Sequence, residues 1–594
     1  MAALFTTPKR NDTTAGTHVA EPDVRRRIGL AHGSWRRVTR RIVVGAVCAL
    51  TVSSLLMPSV SLAAEWVKVG GNKYNTAASD EAGTWSWDGA DDLKLNNYNG
   101  GEIQAAGKLN VNYSGTNIVT AEWIESINVS HGTNENAELN IQGDAGSTLS
   151  VTSTEDAILS TGNINIDGAG SVNAMSTGFD AINAGGDLAI KGSGNVNATG
   201  ASDGIRANGN ITIDDSGAVT ARATEDKGIG TDKNLTIKGG GTVEASSADG
   251  EALWSGGNIN ISDGSQVKAS SEKDAVVEAK GSLAATNASL NVNGVKYGVY
   301  AYKGITLDHA NVTVRAGKGR YGGAIALFTY PGDIVVKNGS TVDAFAEGEV
   351  SAAFSTRNDR PNEKGGHIYI SDSVVKAIAR YVENGDGPIP YSENQDGETR
   401  REPQGENIGI IAQTSEGVTP AVVSIIRSKV TAEGDTAAIF ARAMSADGKT
   451  IGTIKIENAA IQTPEGGKVI DYRKLRDGIY EAGQAIGTGD AVIDPPYNEA
   501  VAKSMVIAPP EVAKPEDPMP DETKPAESKP AESKQNPKPE GSKPTKAVAA
   551  SITKAKTTGV LAATGDTSGA AIVAAALAGT AAIAAGAVVS RKHS

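Results

Sequence analysis

Between Asn163 and Ala269 one twelve-residue pattern returns five times. It reads "NINIDGAGSVNA" from Asn163, "DLAIKGSGNVNA" from Asp187, "NITIDDSGAVTA" from Asn210, "NLTIKGGGTVEA" from Asn234 and "NINISDGSQVKA" from Asn258. The starts are 24, 23, 24 and 24 residues apart. A period held this closely means one structural unit stacked on copies of itself, which narrows the fold more than any composition could.

Within each copy the apolar residues come in pairs two apart, the period of a strand. Ile164 and Ile166 are expected to point inward and Asn165 outward, and likewise Val172 and Ala174 around Asn173. A Gly/Asp turn separates the two pairs, and the best copies end in Asp-(Ala/Gly)-Ile-x-Ala. Three short strands per rung of about 22–25 residues make a three-sided coil. One rung cannot bury its apolar side alone, but a stack can. The expected fold is all-β, a parallel β-helix, right-handed because parallel crossovers are. An array of β-sandwiches is the main rival, but it would not keep the period constant without hairpin turns. Further rungs contain Leu139 with Ile141, Leu283, Ile305 with Leu307, and Ile334 with Val336.

Regular repeats are therefore assigned to 138–345. Residues 65–137, with "EWVKVGG", "GTWSWDG" and Trp123, read as an N-terminal cap and irregular first coils. From 346 to 508 the period degrades, although "HIYISDSVV", "AVVSIIRSKVTA" and "TIKIENAAI" remain strand-like. A polar loop at 380–406 is expected to project from one face.

Composition adds exclusions. Aromatics are 4% of the chain and Gly is 70 of 594 residues, against an enzyme built around large side chains. The only cysteine is Cys48, and no two of the six histidines stand at metal-ligand spacing. A formal charge of −13 argues against a nucleic-acid partner.

Both termini read as sorting information. Residues 1–64 run from a long basic segment through "IVVGAVCALTVSSLLMPSVSLAA" to small residues, the order of a secretory signal peptide. Cleavage is expected after Ala63 or Ala64, and a permanent membrane anchor is the alternative. The leader carries nine Lys/Arg against three Asp/Glu, so removing it takes the formal charge to −19. Residues 509–560 are rich in Pro, Lys, Glu and Ser, repeat "KPAES", and are expected to form an extended, disordered spacer. After Leu561-Ala562-Ala563-Thr564-Gly565, residues 569–590 are 22 uncharged positions, long enough for a transmembrane helix. Residues 591–594 form a basic tail expected to stay cytoplasmic.

Three columns follow from aligning the rungs. Asn163, Asp187, Asn210, Asn234 and Asn258 form one, read as a side-chain ladder bonding rung to rung. Asp156, Asp180, Asp203, Asp226, Asp249 and Asp274 form a second. Bare carboxylates roughly 5 Å apart repel, so each either accepts turn N–H groups or shares a cation such as calcium. A third column, outward on the third strand, contains Asn183, Arg206, Gly230, Trp254, Val277 and Tyr300. Trp254 and Tyr300, flanked by Tyr297 and Tyr302, could stack on sugar rings or pack against a rim loop.

The motifs "DAINAGGDLAIKGSG" from Asp180 and "DGIRANGNITIDDSG" from Asp203 resemble the carbohydrate-binding right-handed β-helix domains of bacterial surface proteins. That resemblance implies plant-type polysaccharide ligands such as cellulose and pectin, and calcium on the aspartate column. The C-terminal order of spacer, Leu561–Gly565, apolar span and basic tail resembles a Gram-positive cell-wall sorting signal, with Ala562 where proline is common. It implies that a sortase attacks the Thr564 carbonyl and links Thr564 to peptidoglycan. The expectation is a secreted, wall-anchored, non-catalytic surface protein acting as an adhesin or binding polysaccharide or host glycan. A protein-binding stalk and a polysaccharide lyase, for which Arg206 and Lys227 lie near Asp203 and Asp226, are the alternatives.

Overall fold

In the computed structural model, residues 63–510 are described, except 123–126, 131–136, 273–274, 318–322, 383–405, 447, 477–478, 491 and 494–499. The sorting motif Leu561–Gly565, the spacer and the apolar span lie outside the described residues. All regular elements among the described residues are strands.

One rung shows the logic. Asn163–Gly168 lies on the first face, Ser171–Ser176 on the second and Ile182–Ala184 on the third. Each pairs in parallel with its copy a rung later, so three long sheets wrap one core. On the first face a single inward column runs Ile164, Leu188, Ile211, Leu235, Ile259, Leu283, Ile305, Ile334, Ile368, Val423, Ile454. Val172 and Ala174 likewise point inward and are buried. Each such Ile, Leu or Val contributes roughly 1.5–3 kcal/mol by leaving water. The parallel β-solenoid expected from the period is the fold observed.

The corner between first and second faces explains the Gly/Asp/Asn turn. Nearly every rung places at least one residue there in the left-handed region: Gly168, Gly192, Asp215, Gly239, Asp263, Asn287, His309, Asn338, Asp372 and Asn458. Glycine adopts that conformation without strain, and Asn and Asp tolerate it better than other residues do. Arg427 takes the same corner with φ of 46° and is held by a two-pronged ion pair to Asp372 on the preceding rung, at 2.7 and 2.8 Å.

The ends are closed by antiparallel strands. Trp85–Trp87 pairs antiparallel with Ala78–Ser79 and Asp92–Asn96, burying Trp85 and Trp87 over the first coil. At the other end the hairpin Lys468–Arg476 and Ile479–Gly487 extends the third face, and Ser504–Ala508 covers the edge of Lys429–Gly434.

Beyond residue 346 the stack does not lose its order; it widens. Third-face strands have 3 residues at Ile182–Ala184 and Val277–Ala279, 5 at Tyr297–Ala301, 7 at Gly323–Thr329 and 9 at Val350–Asn358 and Ala437–Ser445. The weakening period after Val342 reflects longer third-face strands together with longer connections, above all residues 382–406 between Val374–Tyr381 and Asn407–Thr414. The greater part of the 380–406 loop, residues 383–405, lies outside the described residues.

Candidate functional site

Register on the third face is set by the inward apolar residue of each strand: Ile158, Ile182, Ile205, Ile229, Leu253, Val277, Val299. The position two before each makes a column, and its members are Asp156, Asp180, Asp203, Lys227, Glu251, Ala275 and Tyr297. Only the first three expected aspartates therefore stack. In "EDKGIG" one residue more separates Asp226 from Ile229 than separates Asp203 from Ile205, so Lys227 takes the column. Glu251 replaces Asp249 for the same reason, and Asp249 lies exposed in the turn. Asp274 lies outside the described residues. The outward column needs one correction too: Val277 points into the core, fully buried, and Glu278 stands between Trp254 and Tyr300. A constant period hid these shifts, because turn length is free to vary where the core side chains are not.

The three stacked carboxylates cap the next turn. Asp156 accepts the N–H of Asp180 at 2.9 Å, Asp180 that of Asp203 at 2.9 Å, and Asp203 that of Lys227 at 2.7 Å. Asp156 also accepts from Asn183 at 3.0 Å. Each of these three carboxylates is thus engaged by a turn N–H of the next rung. Among the described residues, the acidic side chains close enough to share one ion are Asp88, Asp91 and Asp92 in the N-terminal cap, and Asp88 is itself bonded to the N–H of Ala90 and Asp92. The Asn163–Asn258 column behaves as expected: the side-chain oxygen of each member accepts the backbone N–H one rung on.

Around Trp254 the outward face is dense in charge. Gly230 leaves a notch between Arg206 and Trp254: a side chain there would meet the Lys227 stem at 2.8 Å. Through it the Arg206 guanidinium comes to 5.8 Å and the Lys227 ammonium to 5.3 Å of the Trp254 ring. Arg206 pairs with Asp232, Lys227 with Asp226 and Lys280 with Glu278, and Lys296 lies 5.2 Å from the Tyr297 ring. Beside them, Asp180 and Asp203 accept turn N–H groups and Glu251 hydrogen-bonds with Glu278. Burial, joined by Asp180, pushes the Asp203 carboxyl up to about 7; burial, joined by a hydrogen bond with Glu278, does the same for Glu251. Asp180 is raised by burial as well.

One rung on, the tyrosines pack on one another. Tyr300 stacks on Tyr302 at 4.6 Å and lies 5.0 Å from Phe328; Tyr297 stacks on Phe328 at 5.6 Å. Burial and the Tyr302 hydroxyl raise the Tyr300 phenol well above its ordinary value. Trp254, Tyr297, Tyr300 and Tyr302 remain half-buried, with one side to solvent. Glu251, Glu278, Lys280 and Asp232 went unnoticed in the sequence; counting from the inward Ile, Leu and Val instead of from the aspartates finds the first two.

At the expected signal cleavage site, Ala63 is exposed and bridges to Lys108, while Ala64 is buried in the first coil. The fold thus defines the chain as an all-β parallel solenoid. Comparison with protein-family models, with curated proteins and with solved structures finds no match.

Proposed function

We propose that the protein is a wall-anchored surface solenoid, coiled right-handedly, whose third face binds glycan. The observation that carries the binding reading is the outward stretch from Arg206 to Tyr302. It combines half-exposed rings, Trp254 and Tyr300, with the half-buried carboxyl of Glu251, held from behind by Glu278, on a rigid support. Rings that stack on sugar faces and carboxyl groups that hydrogen-bond sugar hydroxyls are the two groups such a site needs. The display reading rests on sequence order: leader, rod, spacer 509–560, Leu561–Gly565, apolar span 569–590 and basic tail. A sortase would then leave Thr564 joined to peptidoglycan.

The mutual packing of Tyr297, Tyr300, Tyr302 and Phe328 favours a second reading, a non-catalytic stalk that binds protein. A glycan array probed with the wild type and with Trp254→Ala/Tyr300→Ala separates the two. The glycan reading expects at least one ligand whose signal the double variant loses; equal signals throughout would sink it. Mass spectrometry of wall-released protein tests display: a C-terminus at Thr564 bearing wall peptide is expected, and a retained Arg591-Lys592 contradicts it.

A further inference from the structure

On the third face the chain's own lysines show what the surface recognises. The Lys227 ammonium lies 5.3 Å from the Trp254 ring and pairs with Asp226. The Lys280 ammonium lies 4.6 Å from the Tyr302 ring, pairs with Glu278 and reaches the Tyr302 hydroxyl at 3.3 Å. The Lys296 ammonium lies 5.2 Å from the Tyr297 ring. Three times within a few rungs an ammonium sits against an aromatic ring, and twice a carboxylate stands beside it. Ring and carboxylate together hold a cation better than either alone.

The same stretch keeps further carboxyls close to the rings. Asp203 is 3% exposed, and one of its oxygens accepts the Lys227 N–H. The other, Oδ2, stands 3.5 Å from where a side chain at Gly230 would begin, at the floor of the notch that Trp254 borders on the next rung. Glu251 is half-buried on the rung of Trp254, three residues before it. Burial keeps the protons on Asp203 and Glu251 up to about 7, the mark of carboxyls short of positive charge. We infer that the third-face site takes a glycan bearing free amino groups, its sugar ring on Trp254 or Tyr300 and its ammonium drawn to the Asp203 and Glu251 carboxyls. This rests on the glycan reading of that face and narrows it. An amino sugar carries its ammonium on the ring that stacks, so one unit meets ring and carboxyl within a rung of ~4.8 Å. A lysine side chain brings the ammonium alone, on a flexible stem. Lys227 is then the internal occupant of the site, and the ligand's ammonium competes with it for the Trp254 ring.

The test titrates full-length protein by calorimetry at pH 7 with three β-1,4-linked hexamers that differ at one ring position: glucose, N-acetylglucosamine and glucosamine. The glucosamine hexamer is expected to bind about tenfold more tightly than either of the others. Asp203→Asn with Glu251→Gln keeps the shape of both side chains and is expected to remove that advantage. Lys227→Met keeps the stem, removes the competing ammonium and is expected to tighten the glucosamine hexamer about threefold. Unchanged urea midpoints at pH 7 show the coil intact. A glucosamine hexamer that binds no better than the other two, or an advantage that survives the loss of both carboxyls, overturns the inference. The glycan reading still stands in that case if the other hexamers, or a glycan from the array, need Trp254 and Tyr300. Oligolysine of the same charge binding as tightly as the glucosamine hexamer assigns the site to a basic protein segment and overturns the inference too. Failure of all three hexamers to bind does the same, and the array then decides the glycan reading separately.

Discussion

Trp254 and Phe440 stand in one outward column of the third face, six rungs apart, in opposite surroundings. Trp254 belongs to a three-residue strand, half-exposed among Arg206, Lys227 and Glu278. Phe440 belongs to a nine-residue strand, is 1% exposed, and joins Ile325, Phe328, Ile408, Ile411 and Tyr472 in a second apolar cluster outside the main core. The inward code is the same in both regions: one apolar column, parallel pairing, one rung after another. The difference is that the wide half covers the outward side of its third sheet with that apolar cluster and the narrow half does not. The narrow half is therefore free to carry charge and solvent-facing rings, and the wide half spends the same column on stability.

The largest expected effect breaks that comparison directly. Phe440→Ala is expected to cost about 3–5 kcal/mol, as for a buried aromatic, and Trp254→Ala less than about 1 kcal/mol. Urea midpoints of the two variants check this; similar losses would show that the column has one role throughout.

Next in size is a pH effect confined to the narrow half. Asp203 is 3% exposed and its carboxyl titrates near 7 in the fold, against 3.8 as the reference value. Between those values the folded chain holds a proton that the unfolded chain has released. Stability from this group is therefore complete below the lower value and drains away as pH rises to about 7, by at most about 1.4 kcal/mol per pH unit. Asp203→Asn keeps the acceptor for the Lys227 N–H and should flatten that slope, so that the variant is the more stable protein at pH 8. Chemical denaturation across pH 4 to 8 shows it. A slope that Asp203→Asn leaves unchanged assigns the titration elsewhere.

The smallest effect is local. Glu278→Gln removes the neighbouring carboxylate from Glu251, whose titration should move down while staying above the ordinary glutamate range, because burial is the larger cause. Carbon-13 titration of the Glu251 carboxyl reads it, and an unmoved value would show that the two carboxyls do not interact.

Most of the fold could be read in the chain, because the core writes itself as pairs of apolar residues two apart. Ile164, Ile166, Val172 and Ala174 point where the pattern puts them. The wide half was harder: "GAIALFT", "NIGIIAQT" and "AAIFARAMS" are apolar on both sides, so alternation disappears, and longer connections between strands stretch the period. The candidate site was half legible. Arg206 and Trp254 were found because their column is spaced by the core. Glu251 and Glu278 were missed because the aspartates used for counting sit in turns whose length varies. The pairing of Lys280 with Glu278, and the reach of Arg206 past Gly230, are facts of side-chain packing that no spacing contains.

The central claim is that the stretch from Arg206 to Tyr302 recognises a ligand while the equivalent column of the wide half only supports the rod. Calorimetric titration of full-length protein with a glycan identified on the array tests it most directly, comparing wild type, Trp254→Ala/Tyr300→Ala and Phe440→Leu. Binding is expected to be lost in the double variant and retained, at reduced thermal stability, in Phe440→Leu. Retention in the double variant, or loss in Phe440→Leu while it remains folded, would contradict the account.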